Sequence, residues 1–220
     1  EGEFIWTADG DDLVSRNCIV QLVRAARECP HEKVAIFIEY LAAFGEQYHV
    51  ARYVGSEWLT AADFAYTHPY ISRIFIRRAV FEELRYVDLK VTTGFAYEDW
   101  DFNCRLLAEG FELKIASGTV FFYRQRGNSL LKQANALSAR LIPHSELFKP
   151  LVFCSRMEKA RRNHKNWPDF IQQRQRFHEN NFAKELVESP DLSCFVADAA
   201  QLEPEVEPQK IKVAPNYYPV

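Results

Sequence analysis

Hydrophobic and polar positions alternate along this chain in short blocks. Residues 3–8 are rich in aromatic and branched side chains and are halted by Asp9, Gly10, Asp11 and Asp12, which predicts a buried strand ending in an acidic turn. A helix is expected next, capped by Ser15, with Ile19, Leu22, Val23 and Ala26 spaced to lay one apolar stripe against a sheet. Residues 34–40 and 48–54 read as strands around a turn near Gly45, and residues 73–76 as a short strand running into a helix over 78–84. A second helix is predicted from Glu98 to Ala108, stopped by Gly110 in a left-handed conformation, with strands over 111–115 and 119–124 after it. Such alternation belongs to an α/β class with an open sheet flanked by helices.

The pattern changes after about residue 137. Residues 148–187 are rich in Lys, Arg, Gln and Asn with scattered apolar positions, which predicts two helices, the second with Pro168 in its first turn. Residues 203–208, acidic and proline-bearing, read as a linker, and residues 209–220 as the strand that opens something further. The expected organisation is residues 1–137 as an α/β unit, 138–202 as a helical extension, and 203–220 as a linker with the start of a second domain. The chain opens on Glu1 and passes at once into a strand, as a piece cut from something longer would.

Composition narrows the classes. With 48% hydrophobic and 26% charged residues the chain can bury a core, and no apolar run approaches the roughly 20 residues of a membrane helix. A formal charge of -3 lacks the basic excess that nucleic-acid binding requires. Five cysteines without a C-x-x-C pair argue against a disulfide framework or thiolate zinc site and suit a reducing, cytoplasmic setting. The six histidines, His68 among them, show no two-ligand spacing and receive no role at this level.

Two acidic clusters carry the candidate chemistry. Asp9, Asp11 and Asp12 crowd carboxylates at a strand end, where a hard divalent cation, Mn²⁺ or Mg²⁺, would relieve their repulsion and Gly10 would let a phosphate approach. The plain alternative is a solvated acidic turn. Glu98, Asp99 and Asp101 open the second helix, where the helix dipole alone favours negative charge by about 0.3–1 kcal/mol each. In open α/β sheets ligands bind beyond the carboxyl ends of the strands, so the two clusters are expected to face one crevice. Trp58, Trp100 and Tyr70 are candidates to stack on a sugar ring, or equally to fill the core.

In order, E-F-I-W-T-A-D-G-D-D-L-V, I-S-R-I-F-I-R-R-A-V-F-E-E-L and Y-E-D-W-D-F-N-C-R-L-L-A-E-G-F-E-L resemble the second half of inverting, family-two glycosyltransferases of GT-A fold over about residues 1–130. The resemblance implies a partial GT-A mixed sheet and transfer of a sugar from a nucleoside-diphosphate donor to a glycan or lipid-linked acceptor. It assigns Asp9, Asp11 and Asp12 to the metal, Asp99 to the general base, and Glu98 to donor or acceptor. The family's nucleotide-binding first half would precede Glu1. Where related enzymes carry His in Y-x-x-H-x-x-S this chain has Arg126, a guanidinium suited to a diphosphate oxygen and equally to a surface loop. The final A-P-N-Y-Y-P-V resembles the opening of a second transferase domain of another fold. Such an enzyme would work in the cytoplasm, or as a peripheral protein on the inner face of the membrane. The rivals are a haloacid-dehalogenase-like phosphatase, which also ends a strand in D-x-D, and a non-catalytic scaffold fragment.

Overall fold

The structure, a computed structural model, describes residues 2–10, 12–45, 49–70, 72–126, 136 and 141–172. The expected remainder of the second extension helix, the linker and the stretch 209–220 lie outside the described residues, as do Asp11 and the tip of the turn after Gly45.

A six-stranded mixed sheet organises the chain. Its strands are β1 (Phe4–Trp6), β2 (Leu13–Val14), β3 (Val34–Gly45), β4 (His49–Arg52), β5 (Phe75–Arg77) and β6 (Glu112–Gln125), in the order β1-β5-β3-β6-β2 with β4 also on β3. Only β3 and β6 run parallel; the other pairs are antiparallel. The helices are α1 (Cys18–Arg27), α2 (Asp63–Tyr66), α3 (Arg78–Leu84), α4 (Glu98–Ala108) and α5 (Pro150–Asn163).

Strand β3 is apolar almost throughout because both of its faces are covered, as expected for a central strand. Ala35 and Phe37 point to one side, into a core shared with Phe64, Ile74, Ile76, Phe102, Leu106 and Leu113, against which Phe153 and Met157 of α5 also pack. Val34, Ile36 and Ile38 point to the other side, against Cys18, Leu22 and Ala26 of α1 and Phe75 and Phe121. The period of two thus places α4 and α1 on opposite faces of the sheet.

Several expected elements take a different form. The two strands predicted over 111–124 are one strand, β6, whose register against β3 slips between Ile38 and Tyr40. The slip is clamped by Glu39, which is 8% exposed. Its Oε2 accepts from the Gly118 N–H at 2.7 Å, its Oε1 accepts from Arg52 at 3.0 Å, and its own N–H donates to Thr119 Oγ1 at 3.0 Å. Gly118 has φ +70, a conformation that suits glycine. Ser15 does not cap α1; its hydroxyl accepts from the Val120 N–H at 3.1 Å, pinning the chain to β6. The buried stripe of α1 is Cys18, Leu22 and Ala26, while Ile19 is 46% exposed.

Helix α4 has its predicted limits. Gly110, at φ +88, ends it in a Schellman motif, with Phe111 N–H donating to Leu106 O and Gly110 N–H to Leu107 O, each at 3.0 Å. The chain is helical again over 167–172, so Pro168 falls in a first turn. Among the described residues no helix is long and apolar enough to cross a membrane.

Replacing Glu39 by Ala removes the acceptor for Arg52 and for Gly118. A loss of about 1.5–3 kcal/mol is expected in denaturant unfolding, and Glu39→Gln should recover a large part of it.

Candidate functional site

Strand β1 ends at Trp6, and the chain continues through Thr7 into the acidic turn. Thr7 is fixed to the segment before β5: its hydroxyl donates to Ser72 O at 2.9 Å and accepts from the Ile74 N–H at 3.0 Å. Between those two residues stands Arg73, which is 5% exposed. Its Nη2 donates to Asp9 Oδ2 and, at 2.9 Å, to Asp12 Oδ2, while its guanidinium lies 5.2 Å from the centre of the Phe121 ring. Burial opposes the arginine's charge, but the hydrogen bonds and charges of Asp12 and Asp9 outweigh it and hold the pKa above its ordinary value. Repulsion between the carboxylates is therefore offset from within the protein.

The two aspartates are not equivalent. The Asp12 carboxylate is 3% exposed and also accepts the Arg124 N–H at 3.0 Å, tying the acidic turn to the end of β6, two residues before the exposed Arg126. The Asp9 carboxylate is 64% exposed. Among the described residues no set of three His, Cys, Asp or Glu side chains comes together to hold a metal ion.

The second acidic cluster sits at the start of α4. Tyr97, just before the helix, has φ 63 and ψ 57, a left-handed conformation that costs a bulky residue about 1–2 kcal/mol, and its ring meets Trp100 edge-on at 6.0 Å. Glu98 is exposed, whereas Asp99 is partly buried against His68. Asp99 Oδ1 accepts the Trp100 N–H at 2.9 Å, and Oδ2 lies 3.5 Å from His68 Nδ1. The other ring nitrogen of His68 is 2.8 Å from Asn103 Nδ2. Trp100 stacks on the His68 ring with centroids 6.2 Å apart, and its indole N–H donates to Phe64 O at 2.9 Å. Asp101 is 3% exposed and paired with Arg105 at 2.9 Å, and Arg105 in turn donates to Leu84 O at 2.5 Å and Arg85 O at 2.7 Å. That clamp fixes the turn leading to Tyr86.

Tyr86 lies within the electrostatic reach of both clusters. Burial pushes its hydroxyl up to about 12; a hydrogen bond with Thr7 opposes this, Asp99 and Glu98 raise it further, and Arg73 lowers it. One phenol therefore feels the acidic turn, through Thr7 and Arg73, and the start of α4 together. Tyr70 fills the core, 3% exposed and stacked on Phe37, and Trp58 packs on Phe170. Of the three aromatic candidates, Trp100 alone stands beside the acidic residues. A cavity of about 560 Å³ lies elsewhere, between α5 and the 56–64 segment; Lys114, Arg156 and Lys159 line it with Glu57 and Glu112, and no predicted site residue does.

Arg73, Tyr86, His68 and Asn103 were not marked by the sequence pattern. No protein-family model, no curated protein and no solved structure matches this chain.

Desolvation lowers the pKa of His68, with Asp99 partly restoring it. The folded protein therefore keeps His68 neutral where the unfolded chain, with a value near 6.5, takes up a proton, so stability linked to this group falls as pH drops below about 6.5. Thermal melts between pH 7 and pH 5 should show a shallower acid loss for His68→Asn than for the parent chain.

Proposed function

We propose that this chain is the catalytic part of an inverting, nucleotide-sugar-dependent glycosyltransferase with a GT-A-like sheet. The observation that carries the reading is that Tyr86 feels both acidic segments: Asp99 and Glu98 at the start of α4 raise its pKa, while Thr7 and Arg73 beside the turn after β1 lower it. In the reaction, Asp99 takes the proton of an acceptor hydroxyl; the freed oxygen attacks the anomeric carbon from the face opposite the diphosphate; the bond from that carbon to the diphosphate breaks, inverting the centre. Glu98 and Arg126, both exposed, would contact acceptor or donor. The acceptor would be a glycan or a lipid-linked sugar, reached from the cytoplasm or by peripheral association with the inner membrane face.

A divalent ion, Mn²⁺ or Mg²⁺, would neutralise the diphosphate as it leaves. Asp9, although paired with Arg73, keeps a largely exposed carboxylate that such an ion could reach, and Asp11 is the companion ligand the motif supplies; Asp12 is buried and engaged by both Arg73 and the Arg124 N–H. The Arg73 pairing also favours a second reading, in which the acidic turn is a structural clasp and the chain a non-catalytic fragment. Calorimetric melts with millimolar Mn²⁺ and a nucleoside diphosphate separate the two: a rise in melting temperature that Asp9→Asn abolishes supports the transferase, and no shift favours the clasp.

The base assignment has its own test, in a chain extended upstream and assayed for sugar transfer. Asp99→Asn keeps a side-chain oxygen for the Trp100 N–H, so it should cost at most about 1 kcal/mol in stability while lowering turnover roughly 10²–10⁴-fold. Asp101→Asn removes the buried partner of Arg105 and should do the reverse, costing about 1.5–3 kcal/mol with less effect on turnover. Turnover retained in Asp99→Asn would remove Asp99 from the mechanism.

A further inference from the structure

Among the described residues His68 is the histidine that the fold delivers to the start of α4, and its placement is built. Asp63 Oδ2 accepts both the N–H of Thr60, at 2.6 Å, and its hydroxyl, at 2.9 Å, which fixes α2, and His68 follows two residues after that helix. The ring is 14% exposed and lies nearly parallel to Trp100, at 8° between planes, while Trp100 is itself tied to Phe64 O. A neighbour that is itself tied down thus flanks the imidazole.

The hydrogen bond at the far nitrogen decides the tautomer. The Asn103 amide, 2% exposed, lies 2.8 Å from Nε2, and with its N–H₂ turned to that nitrogen Nε2 accepts and Nδ1 carries the proton. That N–H faces Asp99 Oδ2 at 3.5 Å, a contact of the length that catalytic pairs often show before substrate binds. The carboxylate is then held by the Trp100 N–H at Oδ1 and flanked by His68 at Oδ2. With Nδ1 already protonated and Nε2 occupied, His68 has no nitrogen free to take a proton onward, which excludes a relay.

We infer that His68 is the positioning residue of Asp99, its imidazole locked by Asn103 as the Nδ1–H tautomer to orient the Asp99 carboxylate toward the acceptor hydroxyl. This rests on the reading of Asp99 as the general base. The opposite tautomer would set a bare lone pair against Oδ2 and offer the carboxylate no donor.

Two measurements test it, the first without any activity. Long-range ¹H–¹⁵N correlation on the full chain with labelled histidine should show His68 neutral and protonated at Nδ1 at pH 7, with that preference weakened in Asn103→Ala; an Nε2–H ring overturns the proposal outright. The second compares turnover in the upstream-extended, active chain. His68→Phe, which keeps a ring but no donor, should lower kcat about 10–100-fold with donor KM unchanged. His68→Asn, whose amide nitrogen falls near the place of Nδ1, should restore most of it. If Asp99→Asn is inactive while His68→Phe keeps full turnover, the positioning role fails and the base assignment stands. If Asp99→Asn is as active as the parent, both fail together. Where His68→Phe does not fold, the tautomer and the His68→Asn rate decide the question.

Discussion

The parallel pairing of β3 with β6 is the constraint on which the rest of this structure depends. It runs from Val34 opposite Glu112 to Gly45 opposite Gln125 and sets the only parallel register in the sheet. Everything chemical hangs from its two neighbours. β5, antiparallel to β3, carries Arg73 at its approach, and β2, antiparallel to β6, brings Asp12 against the Arg124 N–H. The Glu39 clamp sits at the register slip, so a buried carboxylate whose partners are Arg52, Gly118 and the adjoining backbone maintains the alignment that the acidic turn relies on.

How charge is balanced distinguishes the two acidic segments. At the turn, one buried guanidinium meets two carboxylates, and the more buried of these, Asp12, has become part of the framework. At α4 the division of labour runs along the helix. Asp101 is consumed by Arg105 and the turn before Tyr86, Asp99 is half-sheltered beside a neutral histidine, and Glu98 remains in solvent. Adjacent acidic residues of one helix turn thus occupy distinct electrostatic settings, which is the condition for giving them distinct roles.

Local signals made a good part of this legible in the sequence. The limits of α3 and α4 and the left-handed stop at Gly110 follow from residues within a few positions of each feature, and they appear where expected, whereas the strand expected to end at residue 40 runs on to Gly45 before pairing back with β4. The features that escaped depend on partners far along the chain. The continuity of β6 through Gly118 needs Glu39, 79 positions away, and Ser15 is drawn from a capping role by Val120, 105 positions away. Arg73 looked like any strand-edge arginine, since the carboxylates it joins are 64 and 61 positions earlier. His68 carried no spacing signal because its partners, Asp99 and Asn103, lie on another element; only their i, i+4 relation on α4 hinted that they share a face.

The double-faced burial of β3 has a consequence for how the chain comes to be folded. A parallel partner cannot be supplied by a tight turn, so Val34–Gly45 must wait for Glu112–Gln125 while α2, β5, α3 and α4 are laid down between them. During that interval Ala35 and Phe37 on one side, and Ile36 and Ile38 on the other, lack the cover of Leu113, Ala116 and Phe121 from β6. Long-range pairing of this kind is slow and leaves an apolar edge open while it forms. Chains truncated between Gly45 and Glu112 would carry a sticky, unpaired centre, and the completed β6 is what turns that hazard into a core.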